Sequence, residues 1–347
     1  MTLLDQLRGQ AAPLGPRLTS IYPAAAMPNG SVDLRGNHLS TAARPSATIG
    51  DTPAALSFTS PGKVTLRVPE GAVSGDVVLH LGDRQSNGLS LNVAVPLAEN
   101  LHPIANPAVD REGNVYATFS GARGQDVPVS IFRIDGDYQV RPFVRGLPNA
   151  SALAFGPDGY LYCSSRAEGM VYRIGKDGAM SQFAEGMGIA TGLAFDDDGN
   201  LYVGDRSGTI FKRNTQGSVF VFATLEPSVS AYHLAFTDGG TLLVTGPTTS
   251  SNEAINAIDP QGEVSTWYRG LGRPQGLALD TDGNVYVAAS LHGERGIIRI
   301  TPKKEASVAV SGSGLVGLAF LEDGAAALAT TSALYHVNMQ AEGRLGR

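Results

Sequence analysis

A short turn rich in Asp and Gly returns six times along the chain at almost even spacing, and this limits the fold more than any other feature. It occurs as Asp110-Arg111-Glu112-Gly113-Asn114, Gly156-Pro157-Asp158-Gly159, Asp196-Asp197-Asp198-Gly199-Asn200, Thr237-Asp238-Gly239-Gly240, Asp280-Thr281-Asp282-Gly283-Asn284 and Glu322-Asp323-Gly324. The marker glycines 113, 159, 199, 239, 283 and 324 are separated by 46, 40, 40, 44 and 41 residues. A period near 40 built from strand-like units is the signature of a β-propeller blade, so the spacing predicts six blades.

Each unit has the same strand grammar. Short apolar runs, Leu153-Ala154-Phe155, Leu193-Ala194-Phe195, Leu234-Ala235-Phe236, Leu277-Ala278-Leu279 and Leu318-Ala319-Phe320, precede the turns and read as fully buried inner strands. A second strand such as Leu161-Tyr162 follows, then an amphipathic third such as Val171-Tyr172-Arg173-Ile174, then an outer strand such as Ser181-Gln182-Phe183-Ala184-Glu185. After Leu334-Tyr335-His336-Val337 only a polar tail remains, so the last unit lacks its outer strand. Pro96-Leu97-Ala98-Glu99-Asn100-Leu101 matches Gln182-Phe183-Ala184-Glu185-Gly186-Met187 nearly position for position, and residues 92–101 are expected to close the last blade and remove an exposed sheet edge.

The first 90 residues lack the repeat. Alternating segments at Leu18–Ile21, Ser31–Leu34, Val64–Val68 and Val77–Leu81, separated by turn residues, predict a small β-sandwich. The expected organisation is an N-terminal segment (1–15), a sandwich (16–91), a propeller (92–340) and a tail (341–347). The chain is expected to be all-β.

Composition agrees. The 347 residues include 43 Gly and 20 Pro, 42 % are hydrophobic and 17 % charged, which suits short strands and tight turns better than long helices. With 26 Lys+Arg against 32 Asp+Glu the net charge is −6, and no basic block offers a nucleic-acid or anionic-membrane surface. The single cysteine, Cys163, excludes an internal disulfide and a Cys-based zinc site, and it is expected to pack rather than react. No apolar run approaches the roughly 20 residues of a membrane span. No export signal is read at the N-terminus, so the sequence as it stands is expected in the cytoplasm, or in the periplasm or medium if an upstream leader was removed.

Two resemblances refine this reading. Ile21-Tyr22-Pro23, the run Gly30 to Leu39, and Val68-Pro69-Glu70-Gly71-Ala72-Val73-Ser74-Gly75 resemble the IPT/TIG immunoglobulin-like family. Some members of that family bind DNA, while in bacterial multidomain proteins it implies a spacer or interaction module. The segments Gly192–Asp205 and Pro274–Val287 resemble the six-bladed NHL and SMP-30/gluconolactonase-like propellers. That group implies a site at the channel mouth formed by the blade-to-blade connections, opposite the Asp-Gly turns.

Counting back along each inner strand places Ala105, Ser151, Thr191, Tyr232, Gln275 and Val316 at this mouth. Metal-dependent lactonases of the SMP-30 group hold a divalent cation there. The resemblance puts Ala105 where those enzymes have Glu, Thr191 and Tyr232 where they have Asn, and Gln275 where they have Asp. None of these side chains carries negative charge, which a hard cation normally requires. The expectation is therefore a binding propeller without a metal or other cofactor, taking a small polar ligand or a protein partner. Ser151, Thr191, Tyr232, Gln275, Arg166, Asp205, Arg206 and Arg273 are its candidate contacts. The alternative is a gluconolactonase-like hydrolase needing Ca²⁺ or Zn²⁺, or a propeller lyase, with His233, His292 and Glu294 as candidate acid–base groups. Asp205-Arg206 also reads as a loop-fixing ion pair.

Two other motifs carry no function. Gly312-Ser313-Gly314-Leu315-Val316-Gly317 spells a dinucleotide-binding pattern but leads into a strand rather than a helix. Asp196-Asp197-Asp198-Gly199-Asn200 has its glycine too early for an EF-hand loop and reads as a hairpin turn.

Overall fold

The computed structural model describes residues 15–40, 44–119 and 127–344. Most of the N-terminal segment 1–15 and the end of the tail 341–347 lie outside the described residues. The chain divides into two compact units, one ending at Ala94 and one beginning at Val95. No helix among the described residues is long and apolar enough to cross a membrane. Every regular element among the described residues is a strand.

In the first unit Arg17–Tyr22 pairs with Ser31–Asn37, which pairs with Lys63–Arg67, which pairs with the second half of Thr52–Thr59. The first half of Thr52–Thr59 pairs with Ser46–Ile49, which continues to Gly75–Leu81 and Leu89–Val93. Alternation then decides which side chains are buried: Val32 and Leu34, Val64 and Leu66, and Val77 and Leu79 all point into one core with Leu18, Ile49 and Leu91.

The second unit has the arrangement of a β-propeller. Its first sheet is Ala108–Val109, Val115–Thr118, Ile131–Ile134 and Val140–Val144. The second sheet is Ala150–Phe155, Leu161–Ser165, Met170–Ile174 and Met180–Ala184, and the third is Ala190–Phe195, Leu201–Asp205, Thr209–Arg213 and Val219–Thr224. Two further meanders follow, His233–Phe236 to Val264–Gly272 and Leu277–Leu279 to Ala306–Ser311. These two are not separate sheets. The long strand Val264–Gly272 runs on and pairs Leu271 with Leu291 and Gly272 with Ser290. Four sheets therefore stand alone, where the spacing predicted six.

The last sheet is Leu315–Phe320, Ala325–Thr330, Ala333–Asn338 and, outermost, Val95–Glu99. Val95–Glu99 pairs with Ala333–Asn338 in the register by which Met180–Ala184 pairs with its neighbour: Pro96 and Gln182 each oppose a tyrosine, just before a bulge. The strand begins at Val95 and not at 92, because Leu89–Val93 is hydrogen-bonded to Gly75–Leu81. The inner strands touch in cyclic order, and Leu315–Phe320 returns to Ala108–Val109.

The repeated turns have a local cause. Asp110 Oδ1 accepts from the backbone N–H of Glu112 and Asn114, and its carboxylate also takes the Asn114 amide and the Tyr116 hydroxyl. Asp280 repeats this with Asp282 and Asn284, and Asp196 with Asn200 and Tyr202. The Asp-Gly-Asn signature is thus an Asx turn pinned to the second strand.

Candidate functional site

At the mouth expected from the sequence, hydroxyl groups hold neighbouring sheets together. Thr118, Ser164 and Thr245 each occupy the fourth position of a second strand and are buried. Their hydroxyls donate to the carbonyls of Ser151 (3.5 Å) and Thr191 (3.2 Å) on the next inner strand and of Gln275 (2.5 Å) just before it. In the third sheet that position is Gly204, and Thr191 supplies the hydroxyl, donating to Gly204 O at 2.9 Å and accepting from Tyr232 N–H at 3.1 Å. The Ser151 hydroxyl turns back to Asn149 O at 3.2 Å. Tyr232 is buried between sheets, with its hydroxyl on Glu226 O and its phenol pushed up to about 12 by that burial and by the charges of Glu226 and Asp205. The polar atoms of Ser151, Thr191 and Tyr232 are therefore committed within the protein.

The loop candidates are similarly engaged. Asp205 accepts from Ile189 N–H at 2.8 Å and from the Ser207 backbone and hydroxyl. Arg206 donates to Ser228 O and Val229 O. Asp205 and Arg206 thus fasten different loops and do not form the expected ion pair. The Arg166 backbone N–H donates to Asn149 O at 3.3 Å, just beyond the Ala150–Ser165 pair of the inner and second strands. Arg273 is exposed with φ 47°, and Gln275 is half-buried. His292 (φ 51°) and Gly293 (φ 88°) form the two-residue tip of a hairpin, and Glu294 is exposed beside them. Positive φ at both central positions is the geometry that a tight hairpin requires. Cys163 is buried, with its thiol pushed up to about 12 by desolvation.

His233 is 4 % exposed, its Nε2 has no partner, and burial alone lowers its pKa to about 4. The unfolded chain takes up a proton near pH 6.5 and the folded protein only near 4. The His233 contribution to stability is therefore constant above about pH 6.5 and falls as pH drops from there to about 4, by about 3 kcal/mol in total. Urea denaturation at pH 7 and pH 4.5 will show this loss, and His233→Phe will be less sensitive to acid.

Two cavities stand out, and none of the candidates above lines either. The first, of about 640 Å³, is central. Its wall is Ala154, Ala194, Ala235, Ala278 and Ala319 with the leucines that precede them, and Asn106 also lines it. It reaches the Asp-Gly turns, where Asp196 to Asp198, Asp238, Lys212 and Arg344 line it. The inner strands are therefore not fully buried as expected: Ala154, Ala235, Ala278 and Ala319 are half-buried along the cavity. The recurring alanine was the sequence signal for this wall. Arg344 could not be found by periodicity, because the tail carries it across the turns. Its Nε donates to Asp280 O at 3.0 Å and its Nη2 to Asp238 at 2.7 Å, while Nη1 is buried without a partner. The second cavity, of about 760 Å³, is a groove between the first and second sheets on the same side.

The residues at the lactonase metal position do not fit a divalent cation. Ala105 has no donor, the Thr191 and Tyr232 oxygens are bonded internally, and Gln275 brings no charge. Among the described residues no three His, Cys, Asp or Glu side chains converge as a metal-binding group.

Residues 16–95 match the IPT/TIG domain family. Among solved structures, an auxiliary nutrient binding protein from Bacteroides thetaiotaomicron is similar over 94 % of this chain and 98 % of its own, with TM-score 0.55 and 11 % identity. A candidate gluconolactonase is similar over 74 % of this chain and 94 % of its own (TM-score 0.59, 17 % identity). Virginiamycin B lyase from Staphylococcus aureus is similar over 69 % and 95 % (TM-score 0.51, 16 % identity). At these identities the likeness is one of fold. No curated protein matches the chain by sequence. The chain thus joins an IPT/TIG domain to a β-propeller.

Proposed function

We propose that this is a binding protein without catalytic activity, whose propeller receives a small polar ligand in its central cavity. In this reading the propeller has six blades of the NHL and SMP-30-like type, the two joined meanders counting as separate blades. Val95–Glu99 closes the ring, and the IPT/TIG unit is a spacer or interaction module. The cyclic contact of the inner strands supports the count.

The observation that carries the binding role is the 640 Å³ cavity, with an apolar wall and a charged rim that includes the unpartnered Nη1 of Arg344. A concave, mostly apolar chamber with a few placed polar groups is what small-molecule sites have in common. The nutrient-binding name of one structural neighbour supports the same role. The names of the gluconolactonase and lyase neighbours favour the competing enzymatic reading.

Thermal shift against a panel of saccharides, nucleosides and lactones tests the proposal. Ligand at a hundred times its Kd adds about 2.7 kcal/mol to stability, a rise of several degrees. At least one neutral polar compound is expected to raise the midpoint of the native protein but not of Ala278→Trp, whose indole fills the chamber. Lactone turnover dependent on added Ca²⁺ or Zn²⁺, or no stabilising compound in the panel, would overturn it.

A further inference from the structure

The groove between the first and second sheets contains a cation that forms no salt bridge among the described residues. Arg133 lies on Ile131–Ile134, paired with Tyr116, and is half-buried. Among the described residues its guanidinium makes no hydrogen bond or ion pair, and its Nε is buried without a partner. The Nε of Arg173 is likewise without a partner, but the equivalent cations in the next two sheets each have a carboxylate that Arg133 lacks. Arg173 donates to Asp158 at 2.9 Å and lies 3.5 Å over the Tyr160 ring, and Lys212 sits 3.8 Å from Asp196.

The difference follows from the first turn. Asp110 spends its carboxylate on Asn114, Tyr116 and backbone N–H groups. Glu112, which stands where the second turn has Asp158, reaches instead to Lys176 at 3.1 Å. Both partners of that pair are well exposed, so it contributes little and yields readily. Removing an uncompensated charge from water is costly, and an incoming anion offsets that cost through charge-assisted hydrogen bonds.

The rest of the groove suits an aromatic body. Tyr116 packs edge-on against Phe143 at 5.0 Å and Phe155 at 5.5 Å, and all three line the 760 Å³ space. Arg111, Arg173 and Lys176 line it too, as do Asp110, Glu112, Asp158 and Asp177, of which Asp110, Glu112 and Asp158 are engaged by Asn114 and Tyr116, Lys176 and Arg173 respectively. We propose that this groove is a second binding site, for a small aromatic or apolar anion such as a carboxylate or sulfonate, held by Arg133 against Tyr116, Phe143 and Phe155.

The probe is 8-anilinonaphthalene-1-sulfonate, followed by its fluorescence on the full chain. Saturable binding is expected, displaced by 2-naphthoate and not by 2-naphthol at the same concentration. Arg133→Gln is expected to weaken binding about tenfold, the loss of one charge-assisted contact. Arg299→Gln, at the matching position of a later meander and likewise with an unpartnered Nε, should stay within about twofold. Ala278→Trp should leave the dye unaffected, which separates this site from the central cavity. Equal displacement by 2-naphthol, no saturable binding, or equal losses at Arg133 and Arg299 would overturn the proposal. The naphthoate-versus-naphthol comparison decides it even if Arg133→Gln does not fold.

Discussion

Thr191→Val will destabilise the propeller by about 2–4 kcal/mol, because it removes one hydroxyl that serves two buried backbone groups. Valine fills the same space, so no cavity or clash contributes. The Tyr232 N–H and the Gly204 carbonyl are left without the partner they have in the native protein. The loss should lower the thermal midpoint by roughly 5–12 °C, while Thr191→Ser, which keeps the hydroxyl, should lose much less. The measurement also decides the residue's role. A ligand contact at an open mouth would change affinity and leave the midpoint alone, whereas a fastener between neighbouring sheets does the reverse.

Gly276→Ala is expected to be comparably damaging for a different reason. A Cβ at this position would overlap Asn106 Oδ1 and lie 2.5 Å from Gly317 Cα and 2.8 Å from Val316 O. Asn106 cannot withdraw freely, since it donates to Leu277 O at 2.7 Å and accepts from Leu318 N–H at 3.2 Å. Overpacking of this kind costs about 1–3 kcal/mol, and displacing Asn106 adds about 1 kcal/mol for each hydrogen bond lost. Guanidinium denaturation should therefore show a cost near the sum of these terms. Asn106→Ala with Gly276→Ala should be less than additive, because the first obstacle is already gone. Full recovery is not expected, because the Gly317 backbone remains in the way.

Both variants bear on how the expected site was read. Thr191 lies in its inner strand, while Tyr232 and Gln275 precede theirs, which begin at His233 and Leu277. The sequence could not show what their polar atoms meet. Thr191 sits 41 residues from Tyr232, and Thr245 sits 30 residues from the carbonyl that it holds. A threonine one blade away is invisible to a pattern read within one repeat. The same limit applies to Asp205 and Arg206, adjacent in the chain yet bonded to different loops.

The repeat itself was legible because its causes are local. Each Asp-x-x-Gly-Asn turn is built from hydrogen bonds spanning two to six residues, so the sequence carries its whole specification. The alternation that buries Val32, Leu34, Val64 and Leu66 is equally local. The outer strand Val95–Glu99 was recognisable far from its partner because its apolar pattern copies that of Met180–Ala184.

Sequence alone therefore determined the all-β class, the repeated turns and the propeller strands beside them, since these follow from backbone geometry and side-chain period over a few residues, but not that two meanders join in one sheet. Only the tertiary structure decided where space remains and which charges lack partners. The central chamber exists because alanines from successive repeats face one another, and its rim is completed by Arg344 from a tail outside the repeat. Arg133 is unpaired because a carboxylate four residues before Asn114 is already saturated. Such outcomes depend on competition among groups brought together by folding, and no single segment encodes the result.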